Sequence, residues 1–420
     1  MATWIDRTQT SGNRQIFTYS AWVKFTGDNL TSYAHLATTN PNPGNWDTIR
    51  LDNNRKFEII CNDNNNILRT SRVFRDTNAW YHFVVAVDTT QSTDTNRTKL
   101  YVNGVQETSF ESTGYPPQNH STNFNTNSQT FRIGHNTWST GGGEYFTGLM
   151  SHVHWIDGTQ YQASDFGEYD ANGVWKIKTS PSVTYGTNGF FIFKDSQSIT
   201  DQSGNSNNFT VASGTLTNTE DNPSNVFSTI NPLDATGCTL SLGNNRTAFS
   251  SSFNFAKSTL GWSAGKYYME AKASTITDRG GVGIVKSLAT AYSTSSIDSN
   301  RIFYHSNGNV YTNVIDGGST SVATISQGDI VGIEVDMTAG TCKFYKNGSA
   351  ILTVTSSIIS DNEWQFLVGG YSITWDTNFG NGYFGTTAVS SAGTNASGIG
   401  IFEYDVPTGY TALSTKGLNL

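Results

Sequence analysis

Two Asn-Gly pairs constrain this chain more than any other feature. Leu100-Tyr101-Val102 runs into Asn103-Gly104, and Phe344-Tyr345-Lys346 runs into Asn347-Gly348. Asn and Gly tolerate the positive φ that a two-residue hairpin loop demands, so each pair predicts a tight antiparallel turn. Short alternating segments surround them, parted by Gly, Asn and Asp. Ile16–Phe25 reads as a strand, and Thr48–Leu51 and Lys56–Cys61 flank a turn at Asp52-Asn53-Asn54. Trp80–Asp88 is an almost unbroken apolar run, as expected of a central strand. No long stretch keeps apolar residues at helical spacing, so almost no helix is expected.

Composition agrees. Charged residues make up only 14% and aromatics 13%, with 41 Gly. Abundant Ser, Thr and Asn favour strands and turns over helix interiors. At 420 residues the chain is too long for one ordinary sandwich and comfortable for two. The expected fold class is all-β, as two tandem antiparallel β-sandwiches.

A net charge of −8 and a pI near 5.3 argue against nucleic acid, which calls for a basic stripe. They also argue against anionic membranes. Cys61, Cys238 and Cys342 are odd in number and far apart, which fits neither a disulfide framework nor a zinc site. The N-terminus lacks a signal-peptide core, and no apolar stretch is long enough to span a membrane. Asn-x-Ser/Thr triplets such as Asn96-Arg97-Thr98 are read as chance.

In the first half, Ser20-Ala21-Trp22-Val23, Trp80-Tyr81-His82-Phe83-Val84-Val85, the Asn103-Gly104 hairpin and Phe146–Val153 come in a telling order. Their order resembles the laminin-G-like and pentraxin-like branch of the concanavalin A-type jelly rolls. In that family a strand followed by an Asp-x-Ser-Gly-Asn turn usually opens the domain. Here Gly189–Phe193 and Asp201-Gln202-Ser203-Gly204-Asn205 come after the closing strand. The domain is therefore expected to be permuted and to cover 1–221, with 189–213 supplying a strand.

Two prolines and little periodicity place a linker at 222–235, followed by a second domain over 236–420. There, Gly265–Ala271, Gly281–Ile284, Gly328–Asp336, the Asn347-Gly348 hairpin and Asn378–Phe384 resemble a SPRY domain. That family implies a binding module with its specificity in loops. The pairing of the two domains, with the ending Phe402–Leu413, resembles structural proteins of marine tailed bacteriophages.

Catalysis is not expected. A glycosidase needs two carboxylates on one sugar, and Glu334-Val335-Asp336 comes nearest but lacks the third of a Glu-x-Asp-x-Glu pattern. His82 reads as a packed histidine in an apolar strand. His152 and His154 share one strand face with no third metal ligand evident, and Gly141-Gly142-Gly143 reads as a loop tip.

Sugar sites combine an aromatic face with Asn, Asp or Gln on loops of a rigid scaffold. The candidates are Asn45, Trp46 and Asp47, then Asn136, Trp138, Glu144 and Tyr145, with Trp375 and Asp376 in the second half. Asp63, in an Asn-rich turn, is the candidate ligand for Ca²⁺; no other cofactor is expected.

The resemblances imply a virion surface protein, in a tail fibre, a spike or a head fibre, that recognises cell-surface glycans. A structural head-decoration or connector protein is the alternative, and a polysaccharide depolymerase the third. Expected partners are other virion proteins and host glycans, with homo-oligomers open. The expected location is the virion, after synthesis in the host cytoplasm and release by lysis.

Overall fold

The computed structural model describes residues 3–26, 33–42, 45–61, 66–136, 144–194, 198–250, 252–289 and 300–420. It divides into two compact units, Met1–Asn218 and Thr219–Leu420, and both are built of mainly antiparallel sheets. Among the described residues, no helix is long and apolar enough to cross a membrane.

In the first unit, one sheet has the spatial order Phe110–Thr113, Asn66–Val73, Lys56–Cys61, Asn45–Leu51, Ala34–Asn42, Thr130–Ile133, Trp4–Thr8, Thr210–Ser213. The other runs Phe190–Ile192, Gly148–Asp157, Ile16–Phe25, Tyr81–Asp88, Thr98–Val102, Val105–Gln106. Side chains alternate between the faces of a strand. Phe17, Tyr19, Ala21, Val23 and Phe25 therefore meet Phe57, Phe83, Phe131 and Trp155 in one core.

Residues 189–213 contribute to both sheets. Phe190–Ile192 pairs with Val153–Trp155, and Thr210–Ser213 pairs with Trp4–Asp6. Asp201 holds the turn between them. Its carboxylate accepts the amides of Phe191, Ser203 and Asn207 and the Ser203 hydroxyl.

Tyr81–Asp88 is buried throughout because both its faces are covered. Phe83, Val85 and Val87 face the core, while Val84 and Ala86 lie in a second cluster with Ile156, Ala163 and Phe166. A strand buried on both sides reads as a continuous hydrophobic run.

The second unit is organised by two long strands, Lys266–Lys286 and Trp364–Asn378, that pair along most of their length. The first half of Lys266–Lys286 also pairs with Ile330–Asp336, and its second half with Arg301–His305. Register shifts between Ala273 and Thr275 and between Ile276 and Arg279 mark bulges, which bend strands. Trp364, Phe366, Trp375, Met269, Ile333 and Phe344 form the core.

The stretch 222–235 is not a bare connector. Ile230–Ala235 is the first strand of the second unit's main sheet and pairs with Asn254–Trp262. It stands at the sheet edge, where a proline such as Pro232 is tolerated because its missing N–H costs no ladder bond. Prolines alone misread it as linker.

Candidate binding site

The outward face of the first unit's larger sheet carries a cross-strand row of charged side chains. His35 stands opposite Arg50, Arg50 opposite Glu58, and Glu58 opposite Arg69. Arg50 Nε donates to Glu58 Oε2 at 2.8 Å, and Arg69 donates to Oε1 at 2.5 Å. The fully buried Glu58 is thus clasped between two guanidinium groups. Arg50 is also fixed by aromatic faces, 3.7 Å from the Tyr33 ring centroid and 5.2 Å from that of Trp46.

His35 joins this row to the segment that precedes Gly148–Asp157. Its Nδ1 lies 2.8 Å from Thr48 Oγ1 and its Nε2 lies 3.2 Å from Glu144 Oε2. Asn136 Nδ2 donates to the same carboxylate oxygen. Burial lowers the His35 pKa to about 4, so the ring is neutral at pH 7. Glu144 is held below its ordinary value, first by the hydrogen bond with His35, and is ionised. A neutral ring facing a carboxylate through Nε2 must carry its proton there. Nδ1 is then an acceptor facing the Thr48 hydroxyl, whose single proton is shared between it and the Ala37 carbonyl at 3.1 Å.

Hydroxyl, imidazole and carboxylate in that order are the parts of an acyl-transfer triad. Thr48 and His35 are both 0% exposed, so no substrate atom reaches the hydroxyl. The trio holds Glu144 in place.

Beside it, Trp4, His135 and Tyr145 stack with centroids 4.7 Å and 4.5 Å apart. His135 is buried at the centre, while Trp4 and Tyr145 are half-buried. Arg132 donates twice to Asp6 at 2.7 Å and once to the Asn136 carbonyl at 2.8 Å. Side-chain exposures of 23% for Glu144, 19% for Arg132 and 21% for Asp6 leave these groups open to a ligand. Trp4, Asp6, Arg132, Glu144 and Tyr145 together form a partly exposed aromatic and charged surface over buried His35 and His135.

Glu144, Tyr145 and Asn136, expected from sequence, therefore do meet here, although Asn136 is buried beneath as a support. The remaining candidates fare differently. Trp46 is 8% exposed and lies over Arg50, which leaves it little free face. Asp47 points inward, fully buried, and accepts the Asn123 amide at 2.5 Å. The Asn45 side chain, Trp138, Asp63 and Gly141 to Gly143 lie outside the described residues.

Trp375 and Asp376 are corrected. Trp375 is 0% exposed in the second core and donates its indole N–H to the Gly369 carbonyl. Asp376 is occupied by a bidentate Arg246 and by Ser274. Both are packing residues, because their strand is covered on both faces. Trp4, Asp6, His35, Arg50 and Arg132 escaped the sequence reading. The signal was there in part, since Trp4 with Asp6, and Thr48 with Arg50, are spaced two apart on strands.

The other polar residues considered from sequence are committed to partners. Trp175 Nε1 donates to His82 Nδ1 at 3.0 Å, so His82 carries its proton on Nε2 and donates to Ser20 Oγ at 2.9 Å. A serine that accepts from histidine is not activated by it. His154 pairs with the Tyr185 hydroxyl at 2.9 Å. Glu334 accepts from Tyr345, and Asp336 pairs with Lys266. Among the described residues, no group of His, Cys, Asp and Glu could hold a metal ion.

Comparison with known proteins places these units. Residues 3–163 match the concanavalin A-like lectin/glucanases superfamily, and residues 259–368 match the SPRY domain. The chain joins a concanavalin A-like domain to a SPRY domain.

Both are interaction modules for protein or carbohydrate, which indicates a binding or recognition role. The first match ends before Phe190–Ile192 and Thr210–Ser213, the late strands of the concanavalin A-like unit. Among solved structures, the chain is similar to the SPRY domain of human HERC1, at 20% identity over 35% of this chain and 96% of that one, with a TM-score of 0.32. It is also similar to the TRIM65 PSpry domain, at 14% identity over 36% and 89%, TM-score 0.31. A human SPRY domain matches at 14% over 34% and 95%, TM-score 0.27. Among curated proteins, none matches.

Proposed function

We propose that this chain is a surface protein of a tailed-phage virion whose concanavalin A-like domain binds a cell-surface glycan. The observation that carries this reading is the partly exposed group Trp4, Asp6, Arg132, Glu144 and Tyr145, fixed from beneath by His35 and His135. A sugar offers C–H faces to aromatic rings and hydroxyls to carboxylates and guanidinium groups. The role is binding without chemistry, because Thr48 is sealed and the site's carboxylates are held by partners, Asp6 by Arg132 and Glu144 by His35 and Asn136. The site needs no metal, since Asp6 is matched by Arg132, and Glu144 by His35 and Asn136. The virion assignment is supported by the resemblance of the paired domains and the Phe402–Leu413 ending to marine phage structural proteins.

The test is binding of the full chain to a glycan array and to host cells, with and without calcium. Saturable, calcium-independent binding is expected, weakened about tenfold or more by Tyr145→Ala and by Glu144→Gln, a loss of about 1.4 kcal/mol. Antibody against the chain should decorate intact virions. A folded protein with no saturable binding overturns the glycan reading. It would leave a structural role toward other virion proteins, which capture from disrupted virions would identify.

A further inference from the structure

The SPRY domain holds a carboxylate in an unusual place. Glu270 is 0% exposed, yet no cation is among its donors. Its oxygens accept the backbone amides of Glu403 and Tyr404, each at 2.9 Å, the Tyr268 hydroxyl at 3.2 Å and Asn378 Nδ2 at 3.5 Å. Glu403 and Tyr404 belong to a segment that crosses the outer face of Lys266–Lys286. There Phe402 and Val406 pack with Tyr268, Phe227 and Ala412 in a small core of their own. Tyr404 lies against Gly348, where a Cβ would come within 2.6 Å of its ring. The segment 402–406 is thus a strap, tied down at its centre by one carboxylate.

We propose that this strap is a proton-sensitive clasp, with Glu270 as its proton-binding group. Burial and the charge of Glu403 favour a proton on Glu270, against the pull of its hydrogen-bond donors. Tyr268 comes from its own strand, Asn378 from Trp364–Asn378, and Glu403 from the strap, adding like charge. Glu334 and Tyr345, from Ile330–Asp336 and Thr341–Lys346, stand behind Tyr268 and are bonded to each other. The nearby Lys343 is committed to Glu334 at 3.6 Å.

Glu270 finds partners in both protonation states. The carboxylate accepts all four donors; the acid keeps the two amides and turns its proton toward the Tyr268 oxygen, whose O–H then gives up Glu270 as its acceptor. Burial, with the charge of Glu403, raises the Glu270 pKa from 4.5 to about 7. An opened strap exposes Glu270 to water and returns it toward its ordinary value. By linkage, the closed strap is then favoured about 30-fold more at pH 5.5 than at pH 8.5.

Amide exchange of the full chain over 399–406 tests this, corrected for the intrinsic effect of pH. Protection of Glu403 and Tyr404 should rise about 30-fold from pH 8.5 to pH 5.5. Glu270→Gln should flatten that profile, and Glu403→Gln should shift its midpoint toward lower pH. Equal protection at both pH values in the unaltered protein overturns the proposal, and this arm requires no variant to fold.

Discussion

In the concanavalin A-like domain, the Asn103-Gly104 turn is roofed by Trp175; in the SPRY domain, the Asn347-Gly348 turn is roofed by Tyr404. The two turns are built alike. Asn103 and Asn347 both have φ of 49°. The Asn103 side chain accepts the His82 amide and the Asn347 side chain the Ile330 amide, each at 2.8 Å. A later segment then crosses each sheet, lays a ring on the glycine and hydrogen-bonds to a buried polar group on a strand below. That group is a neutral imidazole, His82, in one domain and a carboxylate, Glu270, in the other. One architectural solution can therefore be locked by groups that answer pH in opposite directions.

Removing the two anchors should break this comparison most visibly. Glu270→Ala strands two backbone amides in the interior, at a cost of about 3–5 kcal/mol. His82→Ala leaves the Trp175 N–H unmatched and a small cavity, costing about 2–3 kcal/mol. Denaturant unfolding, read through amide exchange in Tyr81–Asp88 and Ile330–Asp336, reports each domain separately. Equal losses from the two substitutions would show that the carboxylate is no more essential to its strap than the imidazole.

Acid should then drive the domains apart. Six of the seven histidines lie in the first unit. Burial lowers the pKa of His82 to about 3 and that of His35 to about 4, while the unfolded chain binds these protons near 6.5. The stability they lend is full above about pH 6.5 and is lost as pH falls. Between pH 7.5 and 5.5 the two together should cost the first domain about 3 kcal/mol. Glu270 has the other sign. Its proton is held in the folded state up to about pH 7 and released by the unfolded chain near 4.5, so its contribution is lost as pH rises through 7. Over the same interval the SPRY domain should gain about 2 kcal/mol from Glu270, less what the depressed His305 takes back. Parallel loss in both domains would remove the distinction.

Much of this architecture was legible in the sequence because it is local. The Asn-Gly turns and the double-sided run at Trp80–Asp88 depend on neighbours a few residues away, and periodicity reports them. The candidate site was legible only where its residues cluster along the chain, as Asn136, Glu144 and Tyr145 do. His35 sits 109 positions from Glu144 and meets it through sheet order, which no local pattern encodes. Trp46 and Trp375 looked alike as loop aromatics, yet one lies over Arg50 and the other fills a core. Which face of a strand is wet depends on what later crosses it, and here late segments cross both sandwiches.

The smallest expected effect is the sharpest check on the shared roof. A Cβ at Gly104 would lie 2.5 Å from the Trp175 ring, and one at Gly348 would lie 2.6 Å from that of Tyr404, both at positive φ. Backbone strain alone makes Gly→Ala cost about 1 kcal/mol at such a position. Displacing the ring adds to that. If the roofs are equivalent, Gly104→Ala and Gly348→Ala should each lose about 1–2 kcal/mol. Only Gly348→Ala should also speed amide exchange at Glu403 and Tyr404, because only there does the displaced ring belong to the residue whose own amide the anchor holds. A Gly348→Ala protein with unchanged exchange at those amides would separate the roof from the clasp, leaving Glu270 to hold the strap alone.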